Sequence, residues 1–314
     1  MTKVVRVGDV LIGGGNKIAV QSMTNTVTKN ADATSAQINA LTDAGCDIVR
    51  VAVADAADAE ALGDIKKRIK VPLVADIHFD YRLAVAAVRN GADKIRINPG
   101  NIGSDEGLKK IISAAKERGV AIRIGVNGGS LGKDILARFG NTAAALAESA
   151  LEYVRRFEDM GFDNIVLSVK SSDVRKTVDA CRILAKECDY PQHIGVTESG
   201  SGESARVKSA IGIGALLLDG IGDTIRVSLT DNPVEEVLFA KEILRAVGKD
   251  KNYCEVISCP SCGRCGINLI AVAQEIKEYV KDIKKPMKIA VMGCAVNGPG
   301  EAADADLGLA GGQG

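Results

Sequence analysis

Tryptophan is absent from this 314-residue chain, aromatic side chains make up only 3% of it, and its 40 basic residues are balanced by 40 acidic ones. Proteins that bind nucleic acid or anionic membranes need an excess of basic charge, and those that bind single strands use aromatic stacking surfaces. No apolar run approaches the roughly 18 residues of a membrane span, and the opening segment MTKVVRVGDV lacks the apolar core of a signal peptide. We therefore expect a cytoplasmic protein that binds neither nucleic acid nor a membrane.

Cysteine occurs eight times, and four of these residues lie close together in the last fifth of the chain, at Cys259, Cys262, Cys265 and Cys294. In a cytoplasmic protein such clustering indicates metal or redox chemistry rather than a set of disulfides. Zinc ribbons generally use two C-x2-C pairs, whereas this chain has one such pair, a third cysteine close by and a remote fourth. The spacing favours an iron–sulfur cluster over zinc, and it leaves open which of the four thiols bind.

Short apolar runs alternate with longer segments whose apolar residues recur at helical spacing. After a hairpin over residues 4–12, predicted to turn at Gly13–Gly15, the predicted strands are 18–23, 48–53, 73–77, 95–99, 121–127, 165–170, 194–198 and 224–229. The predicted helices that follow them are 33–44, 56–69, 81–90, 106–118, 142–160, 173–187, 203–218 and 233–247. Eight strands, each followed by a helix, predict an α/β fold of the (β/α)8 TIM-barrel type over residues 1–248.

Residues 249–314 are predicted to form a second, small α/β domain. A polar linker at 249–252 leads into the cysteine cluster, which is followed by a helix at 268–283 and a strand at 288–292. A segment of about 60 residues buries too little apolar surface to form a stable core alone. We therefore expect a bound metal centre to stabilise this domain.

Four predicted barrel strands share a triplet in which an arginine is flanked by aliphatic residues: Val49–Val51, Ile95–Ile97, Ile122–Ile124 and Ile225–Val227. Alternate side chains of a strand point to opposite faces, so aliphatic residues packed on the helices would direct all four arginines into the barrel. One uncompensated buried charge costs several kcal/mol, against a stability of roughly 5–15 kcal/mol for a whole domain. An anionic substrate, most simply a diphosphate, would compensate these charges. The alternative is internal pairing with acids such as Asp76 and Glu198, which are fewer than the arginines.

Polar side chains end several of these strands, at the rim where active sites of this fold lie. They are Asp76, His78, Asn98, Asn127, Lys170 and Glu198. Glycine-rich turns at 98–103, 127–130 and 199–202 would offer backbone N–H groups to phosphate. We assign His78 a functional role and His193, which begins its strand, a structural one. Lys170 is interpreted as a phosphate ligand, with the Schiff-base nucleophile of an aldolase as the alternative.

A series of ordered motifs runs along nearly the whole chain. They are VQSMTNT (20–26), ADIH (75–78), IRINPGNIG (95–103), RIGVN (123–127), HIGVTE (193–198), GIGDTIRVS (220–228), CPSC (259–262) and GCAVNGPGE (293–301). In these motifs the sequence closely resembles the 4-hydroxy-3-methylbut-2-en-1-yl diphosphate synthases, iron–sulfur enzymes of the non-mevalonate isoprenoid pathway.

The resemblance implies an oxidoreductase that converts 2-C-methyl-D-erythritol 2,4-cyclodiphosphate to 4-hydroxy-3-methylbut-2-enyl diphosphate. The reaction is a ring opening and dehydroxylation that takes two electrons from reduced flavodoxin or ferredoxin. The resemblance also implies a [4Fe–4S] cluster held by Cys259, Cys262, Cys294 and the carboxylate of Glu301. It further implies a head-to-tail homodimer, in which the cluster domain of one subunit closes over the barrel of the other.

The family's substrate contacts can be carried over to matching positions of this chain. The diphosphate contacts match Arg50, His78, Arg96, Arg123, Asn127 and Lys170. Glu198 matches the acidic residue that acts in proton transfer, and Asp76 is placed with it as a second catalytic residue.

The sequence departs from the family pattern at two places. Cys265 is an extra thiol, which makes it a rival of Glu301 as fourth cluster ligand. The chain also ends at residues 311–314, where family members usually continue with a strand and a helix, so a truncated second domain is expected. From the residues alone, the alternative function is a phosphate-substrate aldolase that uses Lys170 and has a zinc-stabilised tail.

Overall fold

The structure is a computed structural model that describes residues 1–98, 100–102, 105–296 and 298–311. It divides the chain into two compact units, Met1–Val247 and Gly248–Gly314. No helix within these described ranges is long and apolar enough to cross a membrane.

The first unit alternates strands and helices. Its strands are β1 (Val5–Val7), β2 (Val10–Ile12), β3 (Ala19–Met23), β4 (Ile48–Ala52), β5 (Leu73–Ile77), β6 (Lys94–Ile97), β7 (Ala121–Asn127), β8 (Ile165–Lys170), β9 (His193–Ile194) and β10 (Thr224–Ile225). Its helices are α1 (Ala31–Asp43), α2 (Ala56–Lys66), α3 (Tyr81–Arg89), α4 (Asp105–Arg118), α5 (Lys133–Phe139), α6 (Ala143–Asp159), α7 (Val174–Glu187), α8 (Gly202–Leu218) and α9 (Pro233–Ala246).

Strands β3 to β10 form one parallel sheet in the order β8-β7-β6-β5-β4-β3-β10-β9. A backbone bridge between Leu167 and Gln192 joins its two edge strands, so the sheet closes on itself. The prediction of a TIM barrel is confirmed. The predicted strands at 194–198 and 224–229 are both shorter than expected. The first ends at Ile194, where the chain turns through Gly195 (φ +156°) and leaves the ladder. Helix α5 was not predicted, and Pro99 of the predicted strand 95–99 lies outside the described residues.

The opening hairpin turns earlier than predicted. Val7 pairs with Val10, so the turn is Gly8-Asp9 and not Gly13–Gly15, and Gly8 supplies the positive φ of +59° that such a tight turn requires. The hairpin closes the N-terminal end of the barrel with apolar contacts. The buried cluster there consists of Val5, Val7, Ile12, Ala19, Ile48, Val74, Ala121 and Val166.

Side-chain caps mark where several helices begin. Asp55 accepts a hydrogen bond from the Asp58 N–H at 2.9 Å, and Asp173 accepts one from the Lys176 N–H at 3.0 Å. Such caps satisfy N–H groups that have no partner within the helix, and they stabilise its first turn. The two caps begin α2 and α7 shortly after β4 and β8 end, so the loops that join these strands to their helices at the C-terminal rim of the barrel are short.

The second unit is a three-stranded parallel sheet with one long helix. Its elements are β11 (Cys254–Ser258), α10 (Leu269–Val280), β12 (Met287–Met292), α11 (Gly298–Glu301) and β13 (Leu307–Ala310), and the strand order is β11-β12-β13. Its small core consists of Leu269, Ala273, Val280, Ile289 and Val291. The helix and the strand at 288–292 were predicted, whereas β11 and β13 were not. Residues 312–314, on which the predicted truncation falls, lie outside the described residues.

Candidate active site

Basic side chains line the inner face of the barrel. They are Arg50, Lys94, Arg96, Arg123, Lys170 and Arg226. Their direction follows from the alternation of each strand: Val49 and Val51 belong to the core shared with the helices, so the residue between them points inward. All except Arg226 are at most 9% exposed. Within the described residues, two buried carboxylates form ion pairs with members of this basic set: Asp76 and Glu236.

Asp76 lies at the centre of this charged cluster. Its Oδ1 is 3.1 Å from Nη1 of Arg96, and its Oδ2 is 3.6 Å from Nε of Arg50 and 3.5 Å from Nε2 of His78. Burial alone would raise the pKa of Asp76, but Arg50, the hydrogen bond from His78, and Arg96 together lower it well below its ordinary value. Asp76 is therefore ionised at neutral pH and holds two of the arginines and His78 in place.

Glu236 at the start of α9 is the carboxylate that sequence reasoning missed. Its Oε2 lies 3.6 Å from Nη2 of Arg226 and accepts a hydrogen bond of 3.1 Å from Ser22. The residue stands in the first turn of α9 together with Glu235, an ordinary position for an acidic residue, so its inward direction had no signal in the sequence. Internal pairing therefore involves Asp76 and Glu236, and not Glu198 as the alternative interpretation proposed.

Several guanidinium donors in the barrel lack an acceptor. Nε and Nη1 of Arg123, Nε of Arg96 and Nε of Arg226 are buried without a hydrogen-bond partner among the described residues. Burial, and after it the charges of Arg50 and Arg96, lower the pKa of Arg123. Nε and Nη2 of Arg50 are 3.1 and 2.9 Å from the sulfur of Met23, which is a weak acceptor. The cluster thus has unpaired donors for a polyanionic ligand, which a diphosphate would satisfy.

The deepest polar residues of the barrel are buried with few partners. Nζ of Lys94 has one described polar contact, 3.4 Å from Oε1 of Gln21, and burial together with Arg123 lowers its pKa. Nδ1 of His193 is 2.6 Å from the Thr224 hydroxyl. Burial, and then the neighbouring cations, lower the pKa of His193, so its ring is neutral at pH 7. His193 thus has the environment of a structural residue.

Replacing Lys94 by methionine is expected to raise the free energy of unfolding by about 1–3 kcal/mol, because the variant keeps the side-chain length and removes a buried amine whose one described polar contact, to Gln21, is 3.4 Å long. Urea unfolding at pH 7 measures the change. The matched control is Lys110→Met on the exposed face of α4, where the free energy of unfolding should stay unchanged. A loss of stability in Lys94→Met would show that the buried amine stabilises the fold.

The rim residues fall into two groups. Arg96 Nη1 lies 3.4 Å from Nδ1 of His78, so His78 joins the Asp76 cluster. Asn98 donates a hydrogen bond of 2.9 Å to Ser130, whose hydroxyl lies 3.1 Å from the carbonyl of Asn127 and ties the loops after β6 and β7 together. Of the predicted turn at 98–103, Pro99 and Gly103 lie outside the described residues.

Glu198 lies apart from the charged cluster. Its carboxylate is exposed and makes no hydrogen bond or ion pair within the described ranges, so the structure does not bring it into contact with Asp76. Its backbone is left-handed, with φ +53°, and among described residues other than glycine it alone has a positive φ. A conformation of this kind costs of order 1–3 kcal/mol and is concentrated at functional sites.

The cysteines predicted as cluster ligands surround one cavity of about 360 Å³ in the second unit. Its lining includes Cys259, Cys262, Cys294, Glu301 and Arg264, and the last of these was not predicted although it stands between two cysteines of the motif. The Gly293 N–H lies 3.2 Å from the Cys259 sulfur, a contact of the kind that tunes cluster sulfurs. Within the described residues no group of three or more His, Cys, Asp or Glu side chains is gathered closely enough to hold a metal ion.

Cys265 is not among the residues that line this cavity. Its sulfur donates a hydrogen bond of 3.2 Å to the carbonyl of Ile267 and packs against the small core of the second unit. A Cβ added at Gly293 would lie 2.6 Å from this sulfur, so the glycine leaves room for it. Three thiols and one carboxylate around a single cavity fit a polynuclear cluster, whose ligands lie farther apart than those of one ion.

Comparison with known proteins identifies relatives along the whole chain. Residues 2–241 match the GcpE TIM-barrel domain and residues 255–314 match the GcpE protein C-terminal domain. The chain is 57% identical over 314 residues to the 4-hydroxy-3-methylbut-2-en-1-yl diphosphate synthase (flavodoxin) of Anoxybacillus flavithermus, covering 100% of this chain and 86% of the relative. The protein of the same name from Bacillus subtilis is 54% identical and is covered to 83% of its length.

Among solved structures, the dihydropteroate synthase of Yersinia pestis superimposes with a TM-score of 0.56, covering 79% of this chain and 98% of that protein. Its sequence identity is 12%, so this likeness concerns the barrel fold alone. The two domain matches and the full-length identity to the curated relatives agree with the family suggested by the motifs. The chain belongs to the GcpE family.

Proposed function

We propose that this protein is a 4-hydroxy-3-methylbut-2-en-1-yl diphosphate synthase that converts 2-C-methyl-D-erythritol 2,4-cyclodiphosphate to the open-chain diphosphate. The observation that carries the proposal is the excess of buried, unpaired guanidinium donors inside a barrel of this family. The function of the curated relatives, named as flavodoxin-dependent synthases, supports the same reaction.

The barrel binds the two phosphate groups. The unpaired Nε and Nη1 atoms of Arg123 donate to phosphate oxygens, Arg96 adds its positive charge beside them, and Arg50 exchanges its weak sulfur acceptor for a charged one. His78, Asn127 and Lys170 complete the proposed set of ligands at the rim. Asp76 acts as a positioning residue for Arg50 and Arg96, because its low pKa keeps it ionised at neutral pH.

Lys170 binds phosphate in this proposal and does not form a Schiff base. Burial, and after it the charges of Arg123 and Arg226, lower its pKa. A dianionic phosphate beside these three cations would favour the charged ammonium, which donates hydrogen bonds but is not a nucleophile. The relatives support the synthase, and an aldolase has no support among them.

Glu198 holds the proton that the reaction consumes. Its carboxylate is exposed at the rim and has no partner among the described residues, so no contact within the barrel holds it away from a bound substrate. Because Glu198 has a left-handed backbone and lies after the end of β9, the in-and-out alternation of the strand does not set the direction of its side chain.

Cys259, Cys262, Cys294 and Glu301 hold the cluster in this proposal, as their shared cavity supports. A [4Fe–4S] cluster, when bound there, supplies single electrons that it receives from reduced flavodoxin or ferredoxin. We further propose that the protein is a head-to-tail homodimer, with the second domain of one subunit over the barrel of the other. A cytoplasmic location stays a prediction.

The test is turnover of the cyclodiphosphate by anaerobically purified protein with reduced flavodoxin, together with electron paramagnetic resonance of the reduced protein. We expect a brown protein, formation of the open-chain diphosphate, and a resonance signal that changes when the cyclodiphosphate is added. A colourless protein that holds stoichiometric zinc after anaerobic reconstitution, or a protein without turnover, would refute the proposal.

Two serine substitutions three residues apart distinguish the proposed ligands. Cys262→Ser is expected to lose most of its iron after anaerobic reconstitution, because its thiol lines the cluster cavity. Cys265→Ser should keep the iron content and resonance signal of the unmodified protein, because the Cys265 sulfur bonds to the Ile267 carbonyl instead. Iron analysis and resonance spectra measure both. Loss of iron in Cys265→Ser would contradict this assignment and indicate that Cys265, and not Glu301, is the fourth ligand of the cluster.

A further inference from the structure

Two glycines on the inner face of the barrel leave space for cations of the preceding strand. A Cβ added at Gly125 of β7 would lie 2.8 Å from Nε and 3.4 Å from Nη2 of Arg96, which comes from β6. A Cβ added at Gly195, just after β9, would lie 2.9 Å from Nζ of Lys170, which comes from β8. Real Cβ atoms essentially never come within 3.0 Å of another atom. Any residue other than glycine at these positions would therefore collide with the nitrogen of the neighbouring cation.

Arg96 is held from both sides. Its Nη1 is 3.1 Å from Asp76 of β5, and its Nε edge lies against the bare backbone of Gly125. In the strand register Arg96 stands directly opposite Arg123, and a side chain extended straight into the barrel would bring two like charges together. The Arg96 side chain instead folds over Gly125, which leaves its Nε without an acceptor among the described residues.

We propose that Gly125 is a positioning residue of the anion site, which sets the direction of the Arg96 guanidinium, and that Gly195 does the same for the Lys170 ammonium. The inference rests on the proposed function, because it assigns the directed groups to a diphosphate. Larger residues at these two positions would push the cations toward the barrel axis, into the space that the ligand occupies.

Gly125 provides the cleaner test. At Gly195 the added Cβ would also meet the Arg226 carbonyl oxygen at 2.3 Å, and φ is +156°, so a substitution would disturb the backbone. At Gly125 the backbone is unstrained and the nearest atoms belong to the end of a flexible side chain. Gly125→Ala should therefore fold, with Arg96 displaced.

The experiment measures binding of inorganic diphosphate to the full-length protein by isothermal titration calorimetry. Gly125→Ala is expected to bind about tenfold more weakly, because one charge-assisted hydrogen bond is lost or misdirected. In steady-state turnover of the cyclodiphosphate, KM should rise more than kcat falls. Gly63→Ala, in helix α2, is the matched control. A Cβ added at Gly63 would meet only the Asn90 carbonyl oxygen, at 3.9 Å, so the affinity of this variant for diphosphate should be unchanged.

A double-mutant cycle separates an effect through Arg96 from a general structural effect. In an Arg96→Ala background, Gly125→Ala should cost no further affinity, because the side chain that it displaces is gone. Asp76 keeps Arg50 and His78 as partners in that background, so the variant should fold; thermal unfolding verifies this.

Three results would overturn the inference: unchanged diphosphate affinity in Gly125→Ala, an equal loss in both backgrounds, or an unmodified protein that does not bind diphosphate. Normal turnover of the cyclodiphosphate with the first or second of these results would leave the proposed function intact. A coupled loss of affinity in a protein that never turns over the cyclodiphosphate would refute the function and keep the positioning role.

Discussion

Replacing Glu198 by glutamine is expected to lower turnover of the cyclodiphosphate by about 10²–10⁴-fold, the range for loss of a general acid or base. Glutamine has nearly the same shape but cannot release or bind a proton. The Glu198 carboxylate makes no hydrogen bond or ion pair within the described residues, so its replacement removes no contact that stabilises the fold. Iron content, diphosphate affinity and the free energy of unfolding should therefore stay unchanged while kcat falls.

The matched control for this variant is Glu203→Gln in the first turn of α8, five positions further along the same rim loop and helix start. Its carboxylate is also exposed, and its replacement should leave kcat within experimental error. Near-normal turnover in Glu198→Gln would refute the proton-transfer role. A fall in diphosphate affinity equal to the fall in kcat would instead make Glu198 a binding residue.

Replacing Asp76 by asparagine is expected to lower the free energy of unfolding by about 3–5 kcal/mol at pH 7, because breaking a buried ion pair leaves uncompensated charges. Asp76 is 3% exposed and is the carboxylate partner of both Arg50 and Arg96. Without it these arginines and Arg123 repel one another in the barrel. Urea unfolding of the two proteins measures the difference.

The pH dependence of this difference has a defined sign. The pKa of Asp76 is lower in the folded protein than in the unfolded chain, so its contribution is fully present above the unfolded value of about 3.9 and is lost as the pH falls below it. The gap in stability between the unmodified protein and Asp76→Asn should therefore narrow in acid. Millimolar diphosphate should restore part of the lost stability at pH 7, because the bound anion supplies negative charge to the same arginines.

Asp64→Asn serves as the control, since the ion pair of Asp64 with Lys67 is exposed to solvent and its loss should not change the free energy of unfolding measurably. If Asp76→Asn were as stable as the unmodified protein at pH 7, the inner arginines would not depend on a carboxylate. The charge balance of the barrel would then have to come from other groups.

The sequence by itself determined the barrel and the direction of its arginines. Both are local properties: the alternation of strand and helix patterns predicts the fold, and a period of two along each strand predicts which residues face inward. Arg50, Arg96 and Arg123 could be assigned in this way because their aliphatic neighbours pack against helices. The cysteine spacing in the same way predicted a cluster site, but it did not say which thiols face it.

The tertiary structure decided which groups meet. Glu236 lies beside Arg226 because helix α9 packs against strand β3 of the barrel. Cys265 is not part of the cavity lining, and its sulfur packs on the small core of the second unit. The close contact between Gly125 and the Arg96 guanidinium forms only when strands β6 and β7 pair in the folded barrel. These contacts join residues on different strands and helices, so they depend on how the elements pack. A pattern along one segment records which side of that segment is buried, and it contains no information about the side chain that arrives from another.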